Sequence, residues 1–350
     1  MGDILHALPA VTALRQAHPE WVIDWVVEPR WRALLAAEGS TGREMLPCAA
    51  PNPQQPLVDR IHFAATKEWR KALFSRKTVQ ELKALRQALR DGAYDATLDL
   101  QGAIRSAILG HMAGSRRHIG EASPREKAAR LVFTDLVATQ GAHVIEQDLE
   151  LAEAIAGDEL IPVSPWLPVD SAAEAWADTI LPALSASSST PKTILINPGA
   201  GWGAKRWPVE RYAAVARHFA GNGFRILINA GPGEELLAEA IRQEAGNSAL
   251  ALNCSLAQLI AITRRVSLAI AGDTGPLHLA CALGRPVVGI YGPTDPSRNG
   301  PYGTQFKVLR SPESRRDHTR NEAPEAGLLT IQPAQVVQAA EELLYSEVSV

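Results

Sequence analysis

What most restricts how this chain can fold is a repeated order: a short apolar run, a turn rich in Gly and Pro, then a helix-like stretch. In the second half the runs are Thr193–Asn197, Arg225–Asn229, Val266–Ala271 and Pro286–Tyr291. The helix-like stretches alternating with them are Val209–Gly221, Glu234–Glu244, Ser255–Arg264 and Pro276–Leu283. Buried strands joined by crossover helices make a parallel, doubly wound α/β sheet. The first half repeats the pattern more weakly. Its strand candidates are Val22–Val27, Ile61–Phe63 and Ala96–Leu100, with helix-like stretches at Thr78–Arg90 and Ala103–Ala113.

A chain of 350 residues is too long for one compact core and fits two domains of average size. Ile161–Asp170 holds three prolines, and Ser185–Pro191 reads SASSSTP; between them lies a helical stretch at Ala172–Leu181. Segments of low packing potential mark boundaries, so we place the junction near residues 165–190. The expected division is 1–165, 166–330 and a C-terminal helix within 331–350, after a polar loop at Ser311–Pro324. Paired domains of this class bind ligands at the carboxyl ends of their strands, in the cleft where they face each other.

No apolar run approaches the ~20 residues that cross a bilayer. Met1–Pro9 lacks the basic-then-apolar order of a signal peptide. Cys48, Cys254 and Cys281 are dispersed, with no CxxC pair, and the nine histidines show no HExxH spacing. That points to a reducing, cytoplasmic setting with no protein-bound metal. The net charge of −3 hides an asymmetry: residues 60–130 carry 15 Lys/Arg against 7 Asp/Glu, a local balance of +8. Either this region meets an anionic partner, or Arg76–Arg90 is the solvated face of a helix.

The most informative stretch is VSLAIAGDTGPLHLACA at 266–282. A buried strand ends in Gly272-Asp273-Thr274-Gly275, and Pro276 suits a first helical turn because its missing N–H would be unpaired there. The N–H groups of Thr274 and Gly275, with the positive end of the helix dipole behind them, suit a diphosphate. Gly275 lets the backbone approach a phosphate closely. Asp273 can accept from sugar hydroxyls, and His278 lies one turn on. The plainer alternative is Asp273 as a helix cap and His278 as a packed histidine. The second stretch, TILINPGAGWGAKRWP at 193–208, runs a strand into a loop containing Gly199 and Gly201 and ends in a cation. Such a loop can cradle phosphate, although no GK[ST] follows as in a Walker A motif. Lys205 can offset charge on a diphosphate leaving group, or can be an ordinary surface lysine.

The turn Asn229–Glu235 places Glu234 or Glu235 at a helix start, where an acid binds ribose or merely caps. Tyr291-Gly-Pro-Thr-Asp-Pro is a stiff turn after a strand. At the N-terminus, Gly2-Asp3 precedes a helix-like pattern of Ile4, Leu5, Leu8, Val11 and Leu14; taken alone, Asp3 reads as an N-cap.

In combination these stretches change the reading. MGDILHALPA at 1–10, YDATLDLQGAIRSA at 94–107, KRWP at 205–208, AGDTGPLHLA at 271–280 and YGPTDP at 291–296 resemble glycosyltransferase family 9, the bacterial heptosyltransferases. The resemblance covers nearly the whole chain in the expected order. It implies the GT-B fold, with two Rossmann-like doubly wound domains, acceptor in the N-terminal one and ADP-sugar in the C-terminal one. It implies inverting, metal-independent transfer of heptose from ADP-L-glycero-β-D-manno-heptose, with no cofactor. Asp3 corresponds to the general base, Lys205 offsets charge on the departing diphosphate, and Asp273 and His278 hold the donor.

Within the family the chain looks most like the enzymes that add the first heptose to Kdo on lipid A. The segment Lys67–Phe74, with Lys67, Arg70 and Lys71, resembles their basic acceptor-binding segment, as do Arg105 and Arg125. An acceptor bearing carboxylates and phosphates accounts for the +8 region, since the arginine fork suits both groups. The partners implied are ADP-heptose, Kdo-lipid A and, peripherally, the inner face of the inner membrane, not nucleic acid. Other readings are a second heptosyltransferase or another family 9 enzyme with a different acceptor, and a non-catalytic nucleotide-sugar-binding protein. An oxidoreductase is disfavoured because no strand is followed by GxGxxG. Family members usually carry a strand ahead of the MGD element, whereas this sequence opens at Met1-Gly2-Asp3. A missing central strand leaves backbone groups unpaired, so we expect either a start codon assigned too late or a partly inactive fragment.

Overall fold

A computed structural model describes residues 1–40, 52–181, 191–314 and 323–345. Cys48, positions 185–190 of the Ser-rich segment and positions 315–322 of the polar loop lie outside the described residues. The chain divides into two compact units, and the division falls between Asp170 and Ser171.

The second unit holds a six-stranded sheet. Its strands are β6 (Thr193–Asn197), β7 (Arg225–Ala230), β8 (Leu250–Asn253), β9 (Leu268–Gly272), β10 (Val287–Tyr291) and β11 (Phe306–Arg310). They are ordered β11-β10-β9-β6-β7-β8, and every pairing is parallel. That is the doubly wound order whose direction reverses between its first and fourth strands, here β6 and β9, and ligands bind at such a reversal. β6, β9 and β10 are buried at every position, which explains their unbroken apolar runs. β8 and β11, at the edges, are partly exposed, with Leu250 and Phe306 open to solvent; the sequence reading missed both.

Helix Val209–Gly221 buries Tyr212, Val215, Ala216 and Phe219 against this sheet, an i, i+3, i+4, i+7 stripe. Burying a side chain such as Phe219 contributes about 1.5–3 kcal/mol. The C-terminal helix Pro333–Tyr345 is part of the same core through Val336, Ala340 and Leu343, so it is no separate region. Helix Ser171–Ile180 is tied to the unit by Glu174, which accepts from Arg264 at 2.6 Å and from Arg265.

The first unit holds two parallel sheets. One pairs β1 (Asp24–Val27) with β2 (Arg60–Phe63). The other is β3 (Ala96–Leu98), β4 (Arg117–Glu121) and β5 (Asp135–Val137) in that order. Among the described residues no strand joins the two. Helix Gly2–Ala17 buries Leu5, Leu8, Val11 and Leu14. Arg15, at its end, is buried too, with Nε donating to Leu57 O at 2.9 Å and Nη2 to Asp59 Oδ2 at 2.5 Å. The expected strand at Val22–Val27 starts later, at Asp24, because Val22 is exposed. β4 and β5 were not expected. In β4 the buried positions are His118, Ile119 and Gly120, and the glycine makes room for Phe133, whose ring would lie 2.4 Å from an added Cβ.

Candidate functional site

In the second unit, the loop leaving β6 runs through Gly199 and Gly201 into a single 3-10 turn, Gly203–Lys205. Trp207 and Pro208 anchor that loop. Trp207 is buried, its Nε1–H donates to Ile331 O at 3.1 Å, and its ring meets Tyr212 edge-on at 4.9 Å. Pro208 then occupies the N-cap of helix Val209–Gly221. Held from behind in this way, Lys205 projects to the end of β9, where Nζ lies 2.5 Å from Asp273 Oδ2. It also sits 5.2 Å from the centroid of the Trp202 ring, a cation–π distance. On the other side of the carboxylate, His278 Nε2 is 3.5 Å from Asp273 Oδ1.

Lys205 and Asp273 are thus brought together at the β6/β9 reversal, with side chains only 14% and 12% exposed. Burial alone would raise the Asp273 carboxyl. The hydrogen bond from His278 and the charge of Lys205 outweigh it and hold the group well below the usual carboxylate range. Asp273 is not a helix cap, which corrects the plainer of its two readings. The N-cap of helix Gly275–Ala282 is Thr274, no side chain caps the helix, and Pro276 sits in its first turn. The Thr274 hydroxyl donates instead to Gly272 O at 3.3 Å. An uncapped helix start beside a largely enclosed lysine has the chemistry to hold an anion.

Glu234 has a more specific setting than a helix start. It stands at the N-cap of helix Glu235–Glu244 without capping it. Its carboxylate folds back to accept from Gly231 N at 3.1 Å, and a Cβ on Gly199 would lie 1.9 Å from Oε2. Gly199 is therefore required by Glu234, whereas an added Cβ on Gly201 meets nothing within 4 Å. Glu235 is exposed. Sequence reasoning passed over Asn197 and Asn229. They share a buried hydrogen bond of 3.0 Å, which leaves Asn197 Nδ2 and Asn229 Oδ1 without a protein partner. The signal was an amide at the carboxyl end of two adjacent apolar strands.

In the first unit, Asp3 lies inside helix Gly2–Ala17, in its first turn, with Met1 at the N-cap. The N-cap reading of Asp3 is thus overturned. Its side chain is 52% exposed. Oδ2 accepts from Gln101 Nε2 at 2.7 Å and lies 3.6 Å from Arg125 Nη1. Of the five cations expected at an acceptor, the structure brings Arg125 alone to Asp3. Arg105 is exposed on helix Ile104–Met112. Lys67 is in the short helix Thr66–Trp69, and Arg70 and Lys71 follow it, all exposed. That segment is anchored by buried Trp69, whose Nε1–H donates to Glu81 Oε2 at 2.7 Å. Beyond it Leu73 and Phe74 are exposed, Phe74 at 97%. Helix Arg76–Asp91 buries only Thr78, Leu85 and Leu89, so its charges do form a solvated face.

The profile of glycosyltransferase family 9 (heptosyltransferase) matches residues 82–328. Lipopolysaccharide heptosyltransferase 1 of Escherichia coli K12 is 31% identical over 323 residues, 89% of this chain and 91% of that protein. The solved structure of E. coli heptosyltransferase WaaC with ADP superposes with a TM-score of 0.76 at 28% identity, covering 98% of this chain and 97% of that one. WaaC with ADP-2-deoxy-2-fluoro heptose gives 0.74 at 28% identity, with 98% and 96% covered. The two α/β units have the GT-B fold of these enzymes. The profile match and the near-complete correspondence with relatives agree with the lysine–aspartate pair at the strand reversal, and the chain belongs to glycosyltransferase family 9, the heptosyltransferases.

Proposed function

We propose that this glycosyltransferase transfers L-glycero-D-manno-heptose from ADP-heptose to Kdo of lipid A during synthesis of the lipopolysaccharide inner core. The observation that carries the donor half is the Lys205–Asp273 pair beside an uncapped helix at the β6/β9 reversal. A diphosphate placed there meets the Lys205 ammonium and the N–H groups of Thr274 and Gly275, which stabilise the charge that grows as ADP departs. Asp273, kept ionised, accepts from heptose hydroxyls, with His278 beside it. Glu234, held at the ends of β6 and β7, faces the nucleoside. Positive charge at the leaving group comes from the protein, so transfer needs no metal ion and no cofactor.

Asp3 removes the proton of the acceptor hydroxyl, whose oxygen forms the new bond to the anomeric carbon as the bond to ADP breaks on the opposite face, with inversion. Arg125, Arg105 and the Lys67, Arg70 and Lys71 segment receive the acceptor's carboxylates and phosphates. Among the described residues no helix is long and apolar enough to cross a membrane. Contact with the anionic inner leaflet is peripheral and made by the same basic segment, whose exposed Leu73 and Phe74 can enter the headgroup layer. The experiment is ADP release from ADP-heptose with EDTA present, comparing Kdo-lipid A with the same acceptor already heptosylated, and anomeric assignment of the product by NMR. Release on the unheptosylated acceptor alone, with an inverted product, is expected. Release on the heptosylated acceptor alone would reassign the acceptor.

A further inference from the structure

The loop that closes on Asp3 is built to present one side chain. β3 ends at Leu98, and Asp99, buried, folds its carboxylate into the next turn. Asp99 Oδ1 accepts from Gln101 N at 2.8 Å, from Gly102 N at 2.9 Å and from the Ser106 hydroxyl at 3.1 Å. Gly102 has φ +62, the left-handed region that favours glycine, and a Cβ there would lie 3.0 Å from Arg125 N. Its carbonyl accepts from Glu126 N at 2.9 Å. Glu126 in turn receives Ile104 N at 2.8 Å on its carboxylate. Every bond that shapes the turn therefore comes from the backbone, Asp99, Ser106 or Glu126. None comes from the Gln101 side chain, which is left to reach Asp3 Oδ2 at 2.7 Å.

We infer that Gln101 is a positioning residue for the transfer reaction: its amide fixes one oxygen of Asp3, so that the other, Oδ1, is presented to the acceptor hydroxyl. The inference rests on the reading of Asp3 as the general base. A carboxylate in the first turn of a helix and half-exposed to solvent has several rotamers open to it. A neutral donor selects one of them without adding charge. Misplacing a reacting group by about 1 Å costs up to roughly a hundredfold in rate. The charged groups facing Asp3 are Arg125 Nη1, 3.6 Å away on the loop after β4, and the α-amino group of Met1 on its own helix, whose titration Asp3 influences. Glu126, on the same loop as Arg125, is engaged with Ile104 N.

The test compares Gln101→Met, Gln101→Glu and Asp3→Ala with the wild-type chain, measuring ADP release with Kdo-lipid A between about pH 5 and 8 and the KM of both substrates. Gln101→Met keeps the length and loses the donor. Because the turn does not depend on this side chain, the variant keeps its melting temperature. Its kcat falls roughly tenfold to a hundredfold, with the KM for ADP-heptose unchanged. In Gln101→Glu the new carboxyl restores the hydrogen bond while protonated and repels Asp3 once both are ionised. Its kcat relative to wild type therefore falls as pH rises, a signature that a purely structural role would not produce. An inactive Asp3→Ala beside a Gln101→Met with wild-type kcat, or a Gln101→Glu ratio independent of pH, overturns the role of Gln101 alone. An Asp3→Ala as active as wild type overturns the base, and the positioning role with it.

Discussion

Replacing Lys205 by Met removes one charge from a pair whose partner stays in place. The two side chains, 14% and 12% exposed, lie between a surface pair, worth under about 1 kcal/mol, and a fully buried one, whose rupture costs about 3–5 kcal/mol. A loss of roughly 3 kcal/mol is expected, because Asp273 keeps only His278 at 3.5 Å. For a unit of this size that lowers the melting temperature by roughly 6–12 °C. The pH dependence has a definite sign. The carboxyl of Asp273 is depressed in the folded state: burial opposes the anion, but His278 and Lys205 outweigh it. A depressed group contributes stability that is present above its unfolded pKa and lost as pH falls through the folded one. The wild-type advantage is therefore full at neutral pH and narrows only below the usual carboxylate range. In activity, loss of a cation at a developing phosphate charge costs roughly 10²–10³ in kcat. Adding Asp273→Asn to Lys205→Met leaves a neutral pair of similar shape, so most of the stability returns while kcat does not. Calorimetry and ADP-release kinetics on the four members of this cycle decide it. Strictly additive stability losses, or recovered activity in the double variant, would refute the pair as a donor-site device.

Gly199→Ala drives a Cβ to within 1.9 Å of the Glu234 carboxylate; it weakens ADP binding measured by calorimetry, and Glu234→Ala in the same chain restores the lost stability, about 1–3 kcal/mol. Gly120→Ala meets the Phe133 ring and costs about 1–3 kcal/mol by denaturant titration, relieved by Phe133→Leu. Arg70→Ala with Lys71→Ala raises the KM for Kdo-lipid A roughly tenfold, about 1.4 kcal/mol, while ADP affinity stays unchanged; equal loss of both would remove these residues from the acceptor site. Phe74→Ser reduces co-flotation with vesicles containing anionic lipid and spares turnover of a deacylated acceptor.

The second unit was legible because its central strands are covered on both faces. TILIN, RILINA, LAIAG and VVGIY are apolar for that reason, and the expected bounds fall within two residues of the observed ones. The first unit hides its strands. β4 buries a histidine and a glycine where apolar residues would give it away, and β5 has three residues. Among the site residues, Lys205, Asp273 and His278 stood out because turn chemistry puts a cation, an acid and a histidine at strand-to-helix junctions. Their mutual pairing, across 68 residues of sequence between Lys205 and Asp273, is a product of the β6/β9 register and has no local signal. The same holds for Gln101, which sits in the YDATLDLQGAIRSA motif but acquires a role only when the β3 turn meets the first helix.

The most direct measurement is ADP release from ADP-heptose by the wild-type chain and by Asp3→Ala, each with and without Kdo-lipid A. Release that requires the acceptor and disappears in Asp3→Ala, while ADP still binds that variant, is the expected result. Release without acceptor, or undiminished release from Asp3→Ala, would contradict base-assisted transfer of heptose.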